Sequence, residues 1–491
     1  MTMTRQGRTA GRVGRGGLRD LRGLRRFRPA FAALMVLGWA VLYPAHSHAL
    51  GLMDAWRAAL SHDPAYAAAR AAHDAGLTRT RQADALWRPA AALQAGLGLA
   101  SADSAMRGAR FAAPGFGSAD DVAFDTSING GTMSRVGIEL RQPLFDRERD
   151  AQAQQLRLGA EQAEWTWNDA QAELMLRTAQ RYFDLALALE QLRLIERQFD
   201  AVTRAQTEAK DRFKIGDKPI TDVHEATARA AQLRAQQLAA QAQLELRRAA
   251  LADLTGLPPS DIAGLALPAR LPGDTDIGQL PPWLDRAARR APLVRAAQVG
   301  LQRAQQEARK TNGVLSPTVD LIARASRELL TGSGDYGSSA SNRQTQGIVG
   351  VQITLPLDFG GGRSARHDES IAKIEQAQAE LERARQEASE QARAAWLGMS
   401  VGRAQVAALD AAAQASQARL DATRTGHAAG ERTTLDLLNA ENDATAAQLA
   451  LLQARVQVQL DGLRLARLAG TLNEPRLQRV QEQLGARSPP P

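Results

Sequence analysis

From Arg147 to about Arg212 the chain carries nothing that breaks a helix. Leu185, Leu189, Leu192, Phe199 and Val202 recur there at steps of three, four and seven, close to a heptad seam, opposite a face of Gln, Arg, Glu and Ala. At about 1.5 Å per residue this predicts a rod of roughly 100 Å. Much of the apolar content is Ala, which lets neighbouring helices approach closely. After a turn at 214–221 the pattern returns helically to about Leu254. A second pair of long helices is predicted from Asp368 to about Arg424 and from Leu435 to Leu468. Four other stretches alternate instead: "AALQAGLGLA", "VGIELRQPLF", "VDLIARAS" and "VGVQITLPLD". They read as strands of about ten residues, which suits an outer-membrane strand tilted about 45° and equally a soluble hairpin. Pro89 and Pro317 end the helices before the strands, because proline removes a donor and crowds the preceding turn. The Gly/Ala/Ser/Asp-rich stretch 101–134 reads as a loop. Phe145 and Phe359 follow the second strand of each pair, a place for interfacial aromatics or for ordinary core packing.

The pattern is written twice. "WRAALSHDPAYAAARAA" from Trp56 resembles "WLDRAARRAPLVRAAQV" from Trp283. Pro64 matches Pro292 and Pro89 matches Pro317 at an offset of 228; Pro143 matches Pro356 at 213. Gly216, Asp222 and Gly256 match Gly430, Asp436 and Gly470 at 214. The drop in offset places about fifteen extra residues between Pro89 and Val136. Offsets this constant indicate an internal duplication. The expected organisation is a signal peptide at 1–49, a first repeat at 50–260 and a proline-rich linker at 261–282. A second repeat at 283–475 and a disordered tail at 476–491 complete it.

Charge then relocates one obvious inference. The formal net charge is +8, which suggests a polyanionic partner until its position is read. Residues 1–49 hold nine Arg and one acid, Asp20, so the remainder is neutral, and nucleic acid is not implied. A basic stretch to Arg28, an apolar run from Ala30 to Tyr43 and small residues Ser47 and Ala49 have the order of a secretory signal cleaved after Ala49. Cysteine is absent, so a lipidated mature N-terminus, disulfides and thiolate metal sites are excluded. No later run is long and apolar enough for a membrane helix. The fold class expected is mainly α with a small β part.

Catalytic chemistry finds no constellation in the sequence. The seven His are scattered, and "HE" at 224–225 lacks the second His of a zinc helix. "GGGR" at 360–363 lacks the Lys-Ser/Thr of a phosphate loop and serves a strand-to-helix bend. A periplasmic adaptor would have one helical hairpin between β-rich domains, which the duplication argues against. Four strands in lipid would leave edge groups unpaired at several kcal/mol each. Closure needs other copies: three chains supply twelve strands, an acceptable barrel number.

The stretches "RFKIGDKPITDV", "GHAAGERTTLDLLNAENDA", "VQITLPLDFGGG" and "LAGTLNE" carry a specific resemblance. The chain resembles the TolC-type outer-membrane exit ducts of type I secretion and multidrug efflux over nearly all of residues 52–475. "GLMDAWRAALSHDPAY" is similar to the start of the secretion branch. The resemblance implies a homotrimer with a twelve-stranded transmembrane barrel and a twelve-helix periplasmic tunnel, and no cofactor. It implies partners too: a periplasmic adaptor, an inner-membrane ABC or proton-driven transporter, and outer-membrane lipid. Its cargo is a protein such as a toxin or, alternatively, drugs or metals. Position by position it assigns Asp436 and Asn439 to a periplasmic gate, and Thr221, Asp222, His427 and Arg432 to its latch. Two residues depart from the family's best-known member: Asn439 stands for a second gate aspartate, and His427 for a latch tyrosine. The first leaves three gate charges per trimer rather than six. The second puts a titratable donor next to Asp222. Read without the resemblance, Asp222 and Asp436 are helix caps or first-turn acids favoured by the helix dipole.

Overall fold

The computed structural model describes residues 50–217, 219–262, 264–268, 277–311, 316–334, 337–357 and 360–484. The expected signal peptide, Phe359 and residues 485–491 lie outside the described residues.

Two short helices open the first repeat, α1 (Leu52–His62) and α2 (Pro64–Ala85). Pro64 sits at the start of α2, where its missing N–H costs nothing, and the Asp63 carboxylate accepts from the Tyr66 amide at 2.9 Å. Strands β1 (Ala90–Ala113) and β2 (Gly117–Phe145) follow, then α3 (Arg147–Lys214) and α4 (Ile220–Thr255). The second repeat reproduces the order with α5 (Leu280–Arg290), α6 (Pro292–Thr311), β3 (Thr318–Gly334) and β4 (Gly337–Thr354). It ends in α7 (Gly362–Ala428) and α8 (Thr434–Leu468), after which comes α9 (Glu474–Gln483). Helices α3 and α7 have 68 and 67 residues, rods of roughly 100 Å at 1.5 Å per residue. Each folds back on its successor through a turn holding a left-handed glycine, Gly216 at φ 79° and Gly430 at φ 80°. A side chain there would be strained, which is why the duplicated turns keep glycine.

All strands lie in one antiparallel sheet of order β1-β2-β3-β4. They are longer than the alternation suggests: 24, 29, 17 and 18 residues. The stretch 101–134, read as a loop, is mostly strand. Pairing of β1 with β2 runs from Ala90↔Arg141 out to Ala113↔Gly117, with irregular register after Ala100 and Met106. Cross-strand backbone hydrogen bonds need no apolar side chains, so small residues and Asp were no bar. Pairing of β2 with β3 extends only to Ile128↔Gly334, so the first repeat's extra residues prolong the β1–β2 hairpin beyond the four-stranded region.

The main core lies where α1, α3, α4 and α9 meet. Leu52, Ala55, Ala59, Leu174, Tyr182, Phe183 and Leu185 are almost wholly buried. The Tyr182 hydroxyl donates to the Leu50 carbonyl at 3.1 Å and accepts from the Ala266 amide at 3.0 Å, tying the expected mature N-terminus to the linker. Leu477 and Val480, three residues apart on α9, are buried in the same core. Asn473 accepts from the Arg476 amide to start that helix. The tail expected to be disordered from 476 is therefore ordered at least to Leu484, because one face of α9 has a core to enter. A second core joins Ala287 and Val294 to Leu381, Ala388, Ala392 and Ala395 of α7. Among the described residues no helix is long and apolar enough to cross a membrane.

Candidate functional site

Register fixes which side chains share a face of the sheet. Leu93 pairs with Ile138 and Ile138 with Ala325; Leu140 pairs with Ala323 and Ala323 with Val349. This face also carries Leu97, Leu99, Val136, Leu321, Val351 and Ile353, and all of these Leu, Val and Ile side chains are exposed, Leu97 at 85% and Val349 at 78%. The other face is charged and internally paired. Glu139 meets Arg324 at 3.1 Å, Arg135 meets Glu328 at 3.3 Å, and Arg141 hydrogen-bonds Asp320. Gln94 and Gln346 share that face. One side of the sheet thus suits hydrocarbon and the other water, the alternation of a transmembrane barrel wall. Among the described residues strands β1 and β4 each pair on one side only, so the sheet has two open edges.

The far ends of the two long hairpins carry the latch and gate residues. Thr221 and Asp222 lie in the first turn of α4, whose N-cap is Pro219, with no side-chain cap. The equivalent turn of α8 is closed by a capping box. The Thr433 hydroxyl accepts from the Asp436 amide at 3.1 Å, and Asp436 Oδ2 accepts from the Thr433 amide at 3.0 Å. The Thr433 hydroxyl also lies 2.9 Å from Asp436 Oδ2. The Thr433 backbone N–H, then its hydroxyl, hold the Asp436 carboxyl below its ordinary range, with Arg432 adding attraction. Asn439 lies exposed one turn further along α8.

Asp222, Glu225 and Arg229 of α4 face Thr433, Leu435 and Asn439 across a cleft of about 550 Å³. Arg432 folds against the end of α7, its Cγ 2.9 Å from where a Cβ on Gly426 would stand. His427 Nε2 lies 3.4 Å from the Thr434 hydroxyl. Within one chain the structure therefore brings Asp222 and Asn439 to one cleft. Among the described residues neither Arg432 nor His427 contacts Asp222 through an ion pair or hydrogen bond.

Sequence reasoning missed the braces behind this end. Arg424 reaches Glu441 at 3.1 Å, Arg419 reaches Asp443 at 2.9 Å, and Asp410 reaches Arg455 at 2.8 Å, all between α7 and α8. Each pair lies at roughly mirrored distances from Gly430, so folding the sequence about that glycine would have revealed them. Leu438, buried with Val202 and Leu233, fastens α8 to the α3–α4 hairpin. Among the described residues no cluster of His, Asp and Glu could hold a metal ion.

The sequence pattern of the family described as "Outer membrane efflux protein" matches residues 56–257 and 283–471. The proteases secretion protein PrtF of Dickeya chrysanthemi is 26% identical, over 87% of this chain and 90% of its own. The outer membrane efflux protein BepC of Brucella suis biovar 1 (strain 1330) is 29% identical, over 70% of this chain and 74% of its own. The crystal structure of the outer membrane protein VceC from Vibrio cholerae superposes with a TM-score of 0.65 at 20% identity, covering 85% of this chain and 96% of that one. A duplicated body of long helical hairpins, a two-faced sheet with open edges and this match over both repeats agree: the chain belongs to the outer membrane efflux protein family, and its place is the outer membrane of a Gram-negative cell.

Proposed function

We propose that three copies of this chain form the outer-membrane exit duct of a type I secretion system. The observation that carries this reading is the sheet: apolar on one face, charged and internally paired on the other, and open at β1 and β4. Joining β4 of one copy to β1 of the next satisfies both edges and closes twelve strands. The long hairpins then extend the wall into the periplasm, where an adaptor and an inner-membrane ABC exporter meet them. The duct conducts passively and catalyses nothing. A protein cargo is supported by the likeness to PrtF, which spans most of both chains. Drug or metal efflux is the second reading, favoured by the likeness to BepC.

The gate reading places Asp436 of three copies around the entrance. Like charges about 8 Å apart repel by roughly 2 kcal/mol per pair at an effective dielectric of 20. Asn439 adds no charge, so the closed state needs fewer compensating links. Arg432, which makes no ion pair among the described residues, meets Thr221 and Asp222 of an adjacent hairpin in the closed assembly, and His427 joins that latch. Purified protein in a planar bilayer tests the duct: discrete ion conductance from a trimer is expected, and a water-soluble monomer that conducts nothing overturns it. In the same films Arg432→Ser raises the conductance of the closed state; an unchanged value removes the latch.

A further inference from the structure

Near the main core, and far from both the sheet and the hairpin ends, lies a cleft of about 600 Å³, within the usual range for small-ligand sites. Its walls come from α1, α2 and α3, the C-terminal ends of α5 and α8, the start of α6 and the segment that leads into α9. Trp56, Tyr66 and Trp165 contribute aromatic surface; Asn168, Gln171 and Arg290 contribute polar groups. Trp165 and its flanks are held in place: Arg295 stacks 5.1 Å from the Trp165 ring, and Tyr66 lies 4.9 Å from Trp167.

Several polar groups of this wall are unengaged, while Arg467, which also lines it, pairs with Asp169 at 3.0 Å. Trp56 is only 7% exposed, yet its Nε1–H is buried with no acceptor among the described residues. Among the described residues the side chains of Asn168, Gln171 and Arg290 make no hydrogen bond or ion pair. A buried donor left alone in a folded protein asks for a reason. Aromatic faces beside free amides, an indole N–H and a guanidinium match one ligand chemistry well. Pyranose rings present C–H faces that stack on aromatics, while their hydroxyl and acetamido groups donate and accept in equal measure, as planar amides do. The guanidinium suits a carboxylate.

We propose that this cleft is a saccharide site for a chain of N-acetylated amino sugars bearing carboxylates, the chemistry of the cell-wall glycan. Its height fits. Trp165 and Met175, both in the cleft, stand 18 and 28 residues from the start of α3, about 27 and 42 Å from the sheet end at 1.5 Å per residue. The inference rests on the duct reading for one thing only, that the helical body stands in the periplasm. Held there, the glycan grips the duct where it passes through the wall.

Full-length protein in detergent is titrated with soluble muropeptide oligomers and with chitotetraose, which lacks the carboxylate, by calorimetry and tryptophan fluorescence. Muropeptides bind saturably, and chitotetraose binds about fivefold more weakly. Trp165→Ala lowers muropeptide affinity about tenfold, equivalent to about 1.4 kcal/mol. Arg290→Gln, at an exposed position, brings muropeptide down to the chitotetraose level while the protein keeps its oligomeric size. Absence of saturable binding by either sugar overturns the site, as does full affinity in both variants. So does shielding of Trp165, the half-buried tryptophan of the cleft, from iodide in the assembled protein, since a second copy then covers it. Conductance of the same preparation separates the two readings: a conducting protein that ignores both sugars sinks the saccharide site alone, and a sugar-binding protein that never conducts sinks the duct alone.

Discussion

Thr433 and Pro219 occupy equivalent places in the two repeats, at the offset of 214 that also relates Asp436 to Asp222. The difference of one hydroxyl separates the two turns. Thr433 closes a capping box with Asp436, whereas Pro219 has neither hydroxyl nor N–H to offer Asp222. Two outcomes follow from this chemistry. Asp436 is held below its ordinary carboxylate range, so its ionised form stabilises the start of α8 above the unfolded carboxyl's pKa, near ~3.9, and that contribution fades as pH falls through the lower folded value. Asp436→Asn therefore weakens amide-exchange protection in the first turn of α8 at neutral pH, and its difference from the parent shrinks below the carboxylate range. Equal protection in the two proteins at neutral pH would show that the carboxylate does not hold the turn. Pro219→Thr supplies the missing hydroxyl, so the first turn of α4 gains protection by roughly 0.5–2 kcal/mol, the scale of an N-cap. The sequence offered both a gate and a cap for Asp436, and the cap is now visible within one chain. The gate asks for neighbours, which no single chain displays.

At the scale of elements, the four long helices and the places of the four strands were legible, and the strands' extent was not. Arg147–Lys214 closely matches the breaker-free span, since a long helix is specified locally by propensity and period. Strand extent depends on a partner's backbone, which is why the Gly/Ser/Asp stretch from 101 concealed the outer half of the β1–β2 hairpin. Helix α9 was hidden for a related reason: Leu477 and Val480 look like an ordinary tail until Leu52 and Met53 of α1 stand opposite. Close helix approach was hinted at by alanine content, and single glycines permit it at particular points. Along α7, a Cβ on Gly398 would run into the Asp461 carboxylate of α8, and one on Gly402 would stand 2.7 Å from Val458 Cγ2. Asp461 is buried and tied to Arg464 at 2.8 Å and Gln457 at 3.1 Å, so it has little room to yield. Gly398→Ala is expected to lower unfolding stability by about 1–3 kcal/mol, the usual cost of overpacking. Gly300→Ala on α6 is the contrast. Its added methyl meets only Gln162 Nε2 at 3.5 Å, and the helix gains up to about 1 kcal/mol from propensity. Denaturant midpoints of the detergent-solubilised protein compare the pair, and a drop for Gly300→Ala equal to that for Gly398→Ala would show that glycine matters there for something other than space.

For the whole molecule, the sheet's exposed apolar face makes sense only in company. In one chain Val349 is 78% exposed, so a charge there would replace water contacts with water contacts and cost within about 0.5 kcal/mol. In a barrel wall the same position faces lipid, where Arg costs about 2–4 kcal/mol near the bilayer midplane. Gln346 lies on the opposite face, level with Gln94 and Ser326, where a new cation meets water in either state. The two states therefore predict opposite behaviour for one pair of substitutions. Val349→Arg reduces the amount of protein assembled in the outer membrane several-fold, while Gln346→Arg assembles as the parent does. Membrane fractionation followed by unheated gel electrophoresis reads both. Equal assembly of the two variants means that Val349 never meets lipid, and the two-faced sheet would need another partner to cover it. A loss confined to Val349→Arg places hydrocarbon against that face, and with it the requirement that β1 and β4 find strands outside their own chain.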